Sequence, residues 1–142
     1  RTTGLYMNGS FTAGASPELR DRIYGATTAN GTILRVEQIG EMVFVDYATT
    51  THPDNGARRT AELAKIVHAY GQSVANSELN YDSATVVIEE RYVSENGTHD
   101  VRGWTTVNYD DARDYARGQI SAGEILNIIE NRYLYEDNYL NR

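Results

Sequence analysis

A chain of 142 residues with no cysteine is the usual size of one domain and can bury roughly two-thirds of its unfolded surface, so it needs no disulfide or metal staple. The missing thiol excludes cysteine nucleophiles, disulfides and Cys-ligated zinc. Asp and Glu number 20 against 13 Lys and Arg, a net charge of −7; this argues against nucleic acid or an anionic membrane as partner, since the main affinity term for both is cationic.

Residues 1–16 (RTTGLYMNGSFTAGAS) are rich in Gly, Ser and Thr, and read as an extended arm or linker end before a single domain over 17–142. Ser16-Pro17 opens a short helix, because Ser caps and Pro is tolerated at the first helical position. Leu19 and Ile23 share one face of it, and Gly25 ends it. Residues 32–37 and 42–49 are β-rich and joined through Gln38–Glu41, the signature of a hairpin. In the second run Val43, Val45 and Tyr47 lie on one face, and Met42, Phe44 and Asp46 on the other.

Pro53 breaks the strand, and Asp54 or Asn55 caps a long helix over 56–76. Its stripe of Leu63, Ile66, Val67, Tyr70 and Val74 keeps the helical period. A second hairpin pairs 84–94 with 99–107 around Asn96-Gly97, the strongest short-range hairpin signal. Asn108 caps a further helix, Gly118 interrupts it, and Ser121-Ala-Gly-Glu124 is a capping box opening a last helix over 122–135. The order arm–α–ββ–α–ββ–αα predicts an α+β fold: an antiparallel sheet of about four strands with helices packed on one face. A ββα duplication at an offset of 57 would match Gly40 with Gly97, Tyr47 with Trp104 and Thr49 with Thr106.

Lys65 is the only lysine beside twelve arginines, and Thr is abundant. This acidic, lysine-poor composition resembles that of haloarchaeal proteins, and it implies a surface adapted to concentrated salt. The alternative is an acidic protein from a GC-rich genome. The longest apolar runs, Met42–Val45 and Val86–Ile88, are far below the ~18 residues of a membrane span. A chain that starts at Arg1 reads as a processed product or an excised domain.

No P-loop, G-x-G-x-x-G, H-E-x-x-H, EF-hand loop or G-x-S-x-G occurs, so no cofactor is expected. Asn8, Asn30 and Asn96 each begin an Asn-Gly-Ser/Thr triplet, the N-glycosylation acceptor pattern at a turn. His52 with Asp46 and Asp54 is the one candidate metal cluster; its plainer reading is a loop histidine beside a capping aspartate. Arg58-Arg59 sits at a helix start, where a cation is disfavoured. The doublet either binds a carboxylate or phosphate or pairs with acids on a solvated face. Asp110, Asp111 and Asp114 suit the positive end of a helix dipole. Arg132, Tyr133, Tyr135 and Tyr139 crowd the C-terminal end, and Tyr and Arg are enriched in interface hot spots. The carboxylates map mostly to caps, first turns and solvated faces.

The expectation is a non-enzymatic interaction or assembly domain of a halophilic surface or secreted protein, with a protein partner or a second copy of itself. The alternative is a cytoplasmic small-ligand or regulatory domain whose pocket lies between sheet and helices near Arg58 or Arg59. A hydrolase or metal enzyme using Asp46, His52 and Asp54 comes third.

Overall fold

The computed structural model describes residues 17–76 and 85–136. The expected arm, with Asn8, lies outside them, as do Tyr139 and Arg142. The elements are α1 (Pro17–Tyr24), β1 (Gly31–Ile39), β2 (Met42–Thr49), α2 (Gly56–Asn76), β3 (Thr85–Val93), β4 (His99–Asn108), α3 (Tyr109–Ala116), α4 (Ala122–Asn131) and β5 (Leu134–Tyr135). The chain is α+β, and the described residues form one five-stranded sheet in the order β1-β2-β3-β4-β5.

The sheet is mixed, not antiparallel as the element order suggested. β1–β2, β3–β4 and β4–β5 are antiparallel, but β2 and β3 run parallel. The length of α2 is the reason. Its 21 residues span about 30 Å, slightly more than an eight-residue strand of about 26 Å. The helix therefore carries the chain back to where β2 began. The Thr85 N–H donates to the Glu41 carbonyl at 3.0 Å, so β3 restarts beside the start of β2. A helical crossover between adjacent strands yields a parallel pair.

The helices cover one face. Val43, Val45 and Tyr47 of β2, Val86 and Ile88 of β3 and Val107 of β4 meet Leu63, Ile66, Val67, Tyr70 and Val74 of α2 in a single core. Ile125 and Ile129 of α4, Ala112 of α3 and Leu19 and Ile23 of α1 complete it. The stripes read from the sequence are thus the buried faces, because alternation and helical period each place one face against the other. The opposite sheet face carries an ordered charge row. Arg91 Nε donates to Asp46 at 2.8 Å, and its Nη2 donates to Glu89 at 2.9 Å. Trp104 Nε1 donates to Glu89 at 3.1 Å.

Three of the expected caps stand, at Asn55, Asn108 and Ser121, and Ser16 lies outside the described residues. The Asn108 side chain accepts from the Asp111 N–H, and Ser121 with Glu124 forms a reciprocal capping box. The last helix is shorter than 122–135. It stops at Asn131, and Leu134–Tyr135 turns out to pair with Trp104 and Gly103 of β4. Gly40 and Gly97 both take positive φ at the hairpin turns, as expected for tight connections. The proposed repeat fails elsewhere: Tyr47 faces the helices, while Trp104 bonds Glu89 on the opposite face.

Candidate functional site

The apolar stripe of α2 continues toward its N-terminus into charge. Arg59 lies four residues before Leu63, so it shares the inward face, and it is 0% exposed. The inward row of β3 does the same: Val86 and Ile88 are followed by Glu90, also 0% exposed. The two meet, with Arg59 Nε donating to Glu90 Oε2 at 3.0 Å and Arg59 Nη1 to the Thr51 carbonyl at 2.8 Å.

A bulge in β4 brings the second cation. Glu90 pairs with Gly103 and Arg91 with Val101, so Arg102 is the extra residue. Bulges re-aim side chains, and here Arg102 is turned inward onto Glu90, with Nη1 donating to Oε1 at 2.8 Å. Tyr133, just past α4, donates its hydroxyl to the same oxygen at 2.6 Å. The Arg102 guanidinium carbon lies 4.7 Å from the Tyr133 ring centre and 5.1 Å from that of Tyr135. Its Nη2 donates to the Tyr135 hydroxyl at 3.3 Å. One carboxylate thus holds two guanidiniums and a phenol.

A second buried acid extends the layer. Glu62 accepts from Tyr47 at 2.7 Å and also from the Thr51 hydroxyl. Thr28 lies 3.1 Å from the Tyr47 hydroxyl. With Glu62 counted, the layer is two cations against two carboxylates, the balance that buried charges need. Two donors are left over: among the described residues, Arg59 Nη2 and Arg102 Nε have no hydrogen-bond partner.

The layer opens to one side into a cleft of about 390 Å³ between the start of α2, the end of α4 and the β4–β5 edge. Gly56, Ala57 and Leu63 line one wall, Ile129 and Glu130 another, and Arg102, Tyr133 and Tyr135 the third. β2 and β3 both finish at this end, where α2 begins. In α/β sheets with parallel strands this is the end at which ligands are bound.

Burial raises the pKa of two phenols in this layer. Tyr47 is pushed up mainly by loss of solvent, with Glu62 adding to it. Tyr133 is pushed up first by burial, then by the charge of Glu90. A raised folded value means stability that is complete below the unfolded value near 10 and lost as pH climbs past it. Urea melts between pH 8 and 12 should therefore show stability falling above about pH 10, by up to about 1.4 kcal/mol per pH unit for each such phenol. Tyr47→Phe should flatten that slope; an unchanged slope would refute the assignment.

The residues singled out from the sequence are distributed as follows. Arg59 is in the site, but buried in an ion pair rather than on a solvated face, whereas Arg58 is exposed. Tyr133 and Tyr135 stand together, ring centres 4.9 Å apart. Arg132 points elsewhere and pairs with Asp111 of α3 at 3.4 Å. Asp46 is held by Arg91, and His52 accepts from the Asp54 N–H at 3.0 Å through Nδ1. No group of three His, Asp or Glu that could hold a metal occurs among the described residues. Asn96 is exposed at its hairpin turn, its side-chain oxygen accepting from the Thr98 N–H at 3.1 Å and hydroxyl at 2.8 Å. Asn30 is half-buried before β1, and its carbonyl accepts from the hydroxyls of Thr49 and Thr50.

Sequence reasoning missed Glu90, Arg102, Glu62 and Thr51. For the two glutamates a signal exists. Glu90 continues the every-second-residue row of Val86 and Ile88, and Glu62 sits four residues before Ile66. A charge on a buried period is the mark of a paired interior group. For Arg102 no local pattern exists, because a bulge changes its face.

No protein-family model matches this sequence, and no curated protein or solved structure shows significant similarity to it. The chemistry of the site therefore stands on its geometry alone.

Proposed function

We propose that this chain is a non-enzymatic interaction or assembly domain of a halophilic surface or secreted protein, working through the β5 end of its sheet. One observation carries the reading. β5 is an edge strand of two residues that leaves Leu134 68% exposed and Tyr135 43% exposed. An exposed apolar residue and a tyrosine on the last strand of the described sheet, the tyrosine bonded to a buried arginine, are side chains of the kind that dominate interfaces. The acidic, lysine-poor composition supports the halophilic part. No helix among the described residues is long and apolar enough to cross a membrane.

One salt series tests both parts. Raising KCl from ~0.1 M to ~2 M screens carboxylate repulsion and should raise the melting temperature. In ~2 M KCl, sedimentation should reveal a concentration-dependent dimer that Leu134→Asp abolishes without altering the melt. A melting temperature flat across the series removes the halophilic part. A chain that remains monomeric at about 1 mM removes assembly through this edge.

A second reading, a small-ligand domain, is favoured by the cleft itself: it lies between sheet and helices and holds a buried guanidinium on its wall.

A further inference from the structure

The geometry points to a monocarboxylate-binding site in the cleft between α2, α4 and β5, anchored by Arg102. The inference rests on the reading that this end of the sheet is the working surface, and it names the chemistry bound there.

Arg102 is only 8% exposed, yet it lines the cleft. Its Nη1 edge is taken by Glu90. The other edge is unsaturated but covered: Nε is buried without a partner among the described residues, and Nη2 makes a long bond of 3.3 Å to Tyr135, so a ligand reaches this edge only when the Tyr135 side chain swings aside. Nε and Nη2 together form the flat fork that matches the two oxygens of a carboxylate. A buried donor without an acceptor is costly, and an incoming oxygen relieves that cost.

The opposite wall supplies further donors. The first N–H groups of a helix have no partner within the helix. Asn55 satisfies one of them, its side chain accepting from the Arg58 N–H at 3.3 Å, while its carbonyl accepts the first regular helical bond from the Arg59 N–H at 3.1 Å. Among the described residues the N–H groups of Gly56 and Ala57 have no such acceptor, and both residues line the cleft. Gly56 has nothing within 4 Å of where a side chain would start, so this part of the cleft wall is uncrowded. The first turn of α2 contains no acid of its own to occupy this positive end.

The remaining walls decide the class. Leu63 and Ile129 are apolar, and two tyrosine rings flank Arg102. These surfaces suit an organic body, and about 390 Å³ is within the range of small-molecule sites. Glu130 on the rim repels a dianion, which selects against phosphate and dicarboxylates. On binding, the carboxylate displaces the Tyr135 hydroxyl from Nη2 and takes Nε as well. Such a group comes either from a free small acid or from the C-terminus of a polypeptide.

Benzoate is the first probe, titrated into the ¹⁵N-labelled chain at a fixed ~2 M KCl, so that chloride stays constant and long-range repulsion is screened. The Nε–H signal of Arg102 and the amides of Gly56 and Ala57 should move together, with a Kd on the order of 1 mM. Benzamide and inorganic phosphate should bind at least tenfold more weakly. Ala57→Glu sets a carboxylate at the exposed start of α2, and should weaken benzoate about tenfold or more while leaving the melt unchanged or higher. Tyr135→Phe removes the competing hydroxyl and should tighten binding. A tripeptide with a free C-terminus, compared with its amide, separates the sources. Tighter binding of the free peptide than of benzoate assigns a chain end; the reverse assigns a small acid; either sustains the site. Benzamide or phosphate binding as well as benzoate overturns it, as does an Arg102 signal that stays fixed or an Ala57→Glu variant that binds normally. If benzoate fails while Leu134→Asp still abolishes the dimer, only the carboxylate site is lost and the interaction reading stands.

Discussion

Replacing Glu90 with glutamine should cost about 3–5 kcal/mol, the range for removing one partner of a buried ion pair. Glu90 is fully buried and is the shared acceptor for Arg59, Arg102 and Tyr133. Glutamine keeps the shape but loses the charge, and turns a donor toward a guanidinium. Both cations then stay in the interior with one carboxylate, Glu62, left in the layer. Against a total of about 5–15 kcal/mol for a typical domain, the loss is a large share of the stability. Urea unfolding at ~2 M KCl is the measurement, since such a buried contact is little screened by salt. The double variant Glu90→Gln with Arg59→Met should regain part of the loss, because it removes one of the stranded charges. A loss below about 0.5 kcal/mol for Glu90→Gln, the scatter of ordinary surface changes, would sink the buried layer.

Two glycines of α2 should respond to alanine with opposite signs. A Cβ on Gly71 would stand 2.1 Å from the Ala112 carbonyl oxygen and 2.7 Å from its carbon, both in the backbone of α3. Neither helix can yield locally, so α2 and α3 must separate. Overpacking of this kind costs typically 1–3 kcal/mol, and a backbone clash belongs at the upper end, about 3 kcal/mol. Gly56 meets nothing within 4 Å, so Gly56→Ala should stabilise by about 0.5 kcal/mol through the unfolded chain. Thermal melts of the two variants, with amide exchange in α3 as a local reporter, decide the matter. Shifts of the same sign would mean that α2 and α3 do not approach as closely as described.

Much of the architecture is legible residue by residue. The period of Leu63, Ile66, Val67, Tyr70 and Val74 marks the buried face of α2. Asn96-Gly97 marks the second hairpin, and Ser121 with Glu124 the start of α4. These are local signals, set by a few neighbouring residues and a fixed period. The direction of β3 is not local. It depends on how far α2 carries the chain before it returns, which is why two antiparallel hairpins become one mixed sheet. By local pattern β5 looks like the end of a helix, because its pairing with β4 is remote in sequence.

The site divides in the same way. Tyr133, Tyr135 and Arg59 are visible as residue types at an unusual place, but their partners are not. Arg58-Arg59 reads as one doublet, yet helix rotation sends Arg58 to solvent and Arg59 to the interior. Asp46 and His52 look like ligands by proximity in sequence, but Asp46 is held by Arg91 across the sheet.

The sequence by itself determined the acidic, lysine-poor balance, the helix caps, the hairpins and the apolar faces. Each of these depends on composition or on spacing within a few residues. It also suggested that the carboxylates sit mostly at caps and solvated faces. Only the tertiary structure placed Glu90, Glu62 and Asp46 among the buried groups. An interior carboxylate is stable only where distant guanidiniums and hydroxyls converge on it. The three segments that supply Arg59, Arg102 and Tyr133 meet at Glu90 through the parallel crossover, the β4 bulge and the return of β5.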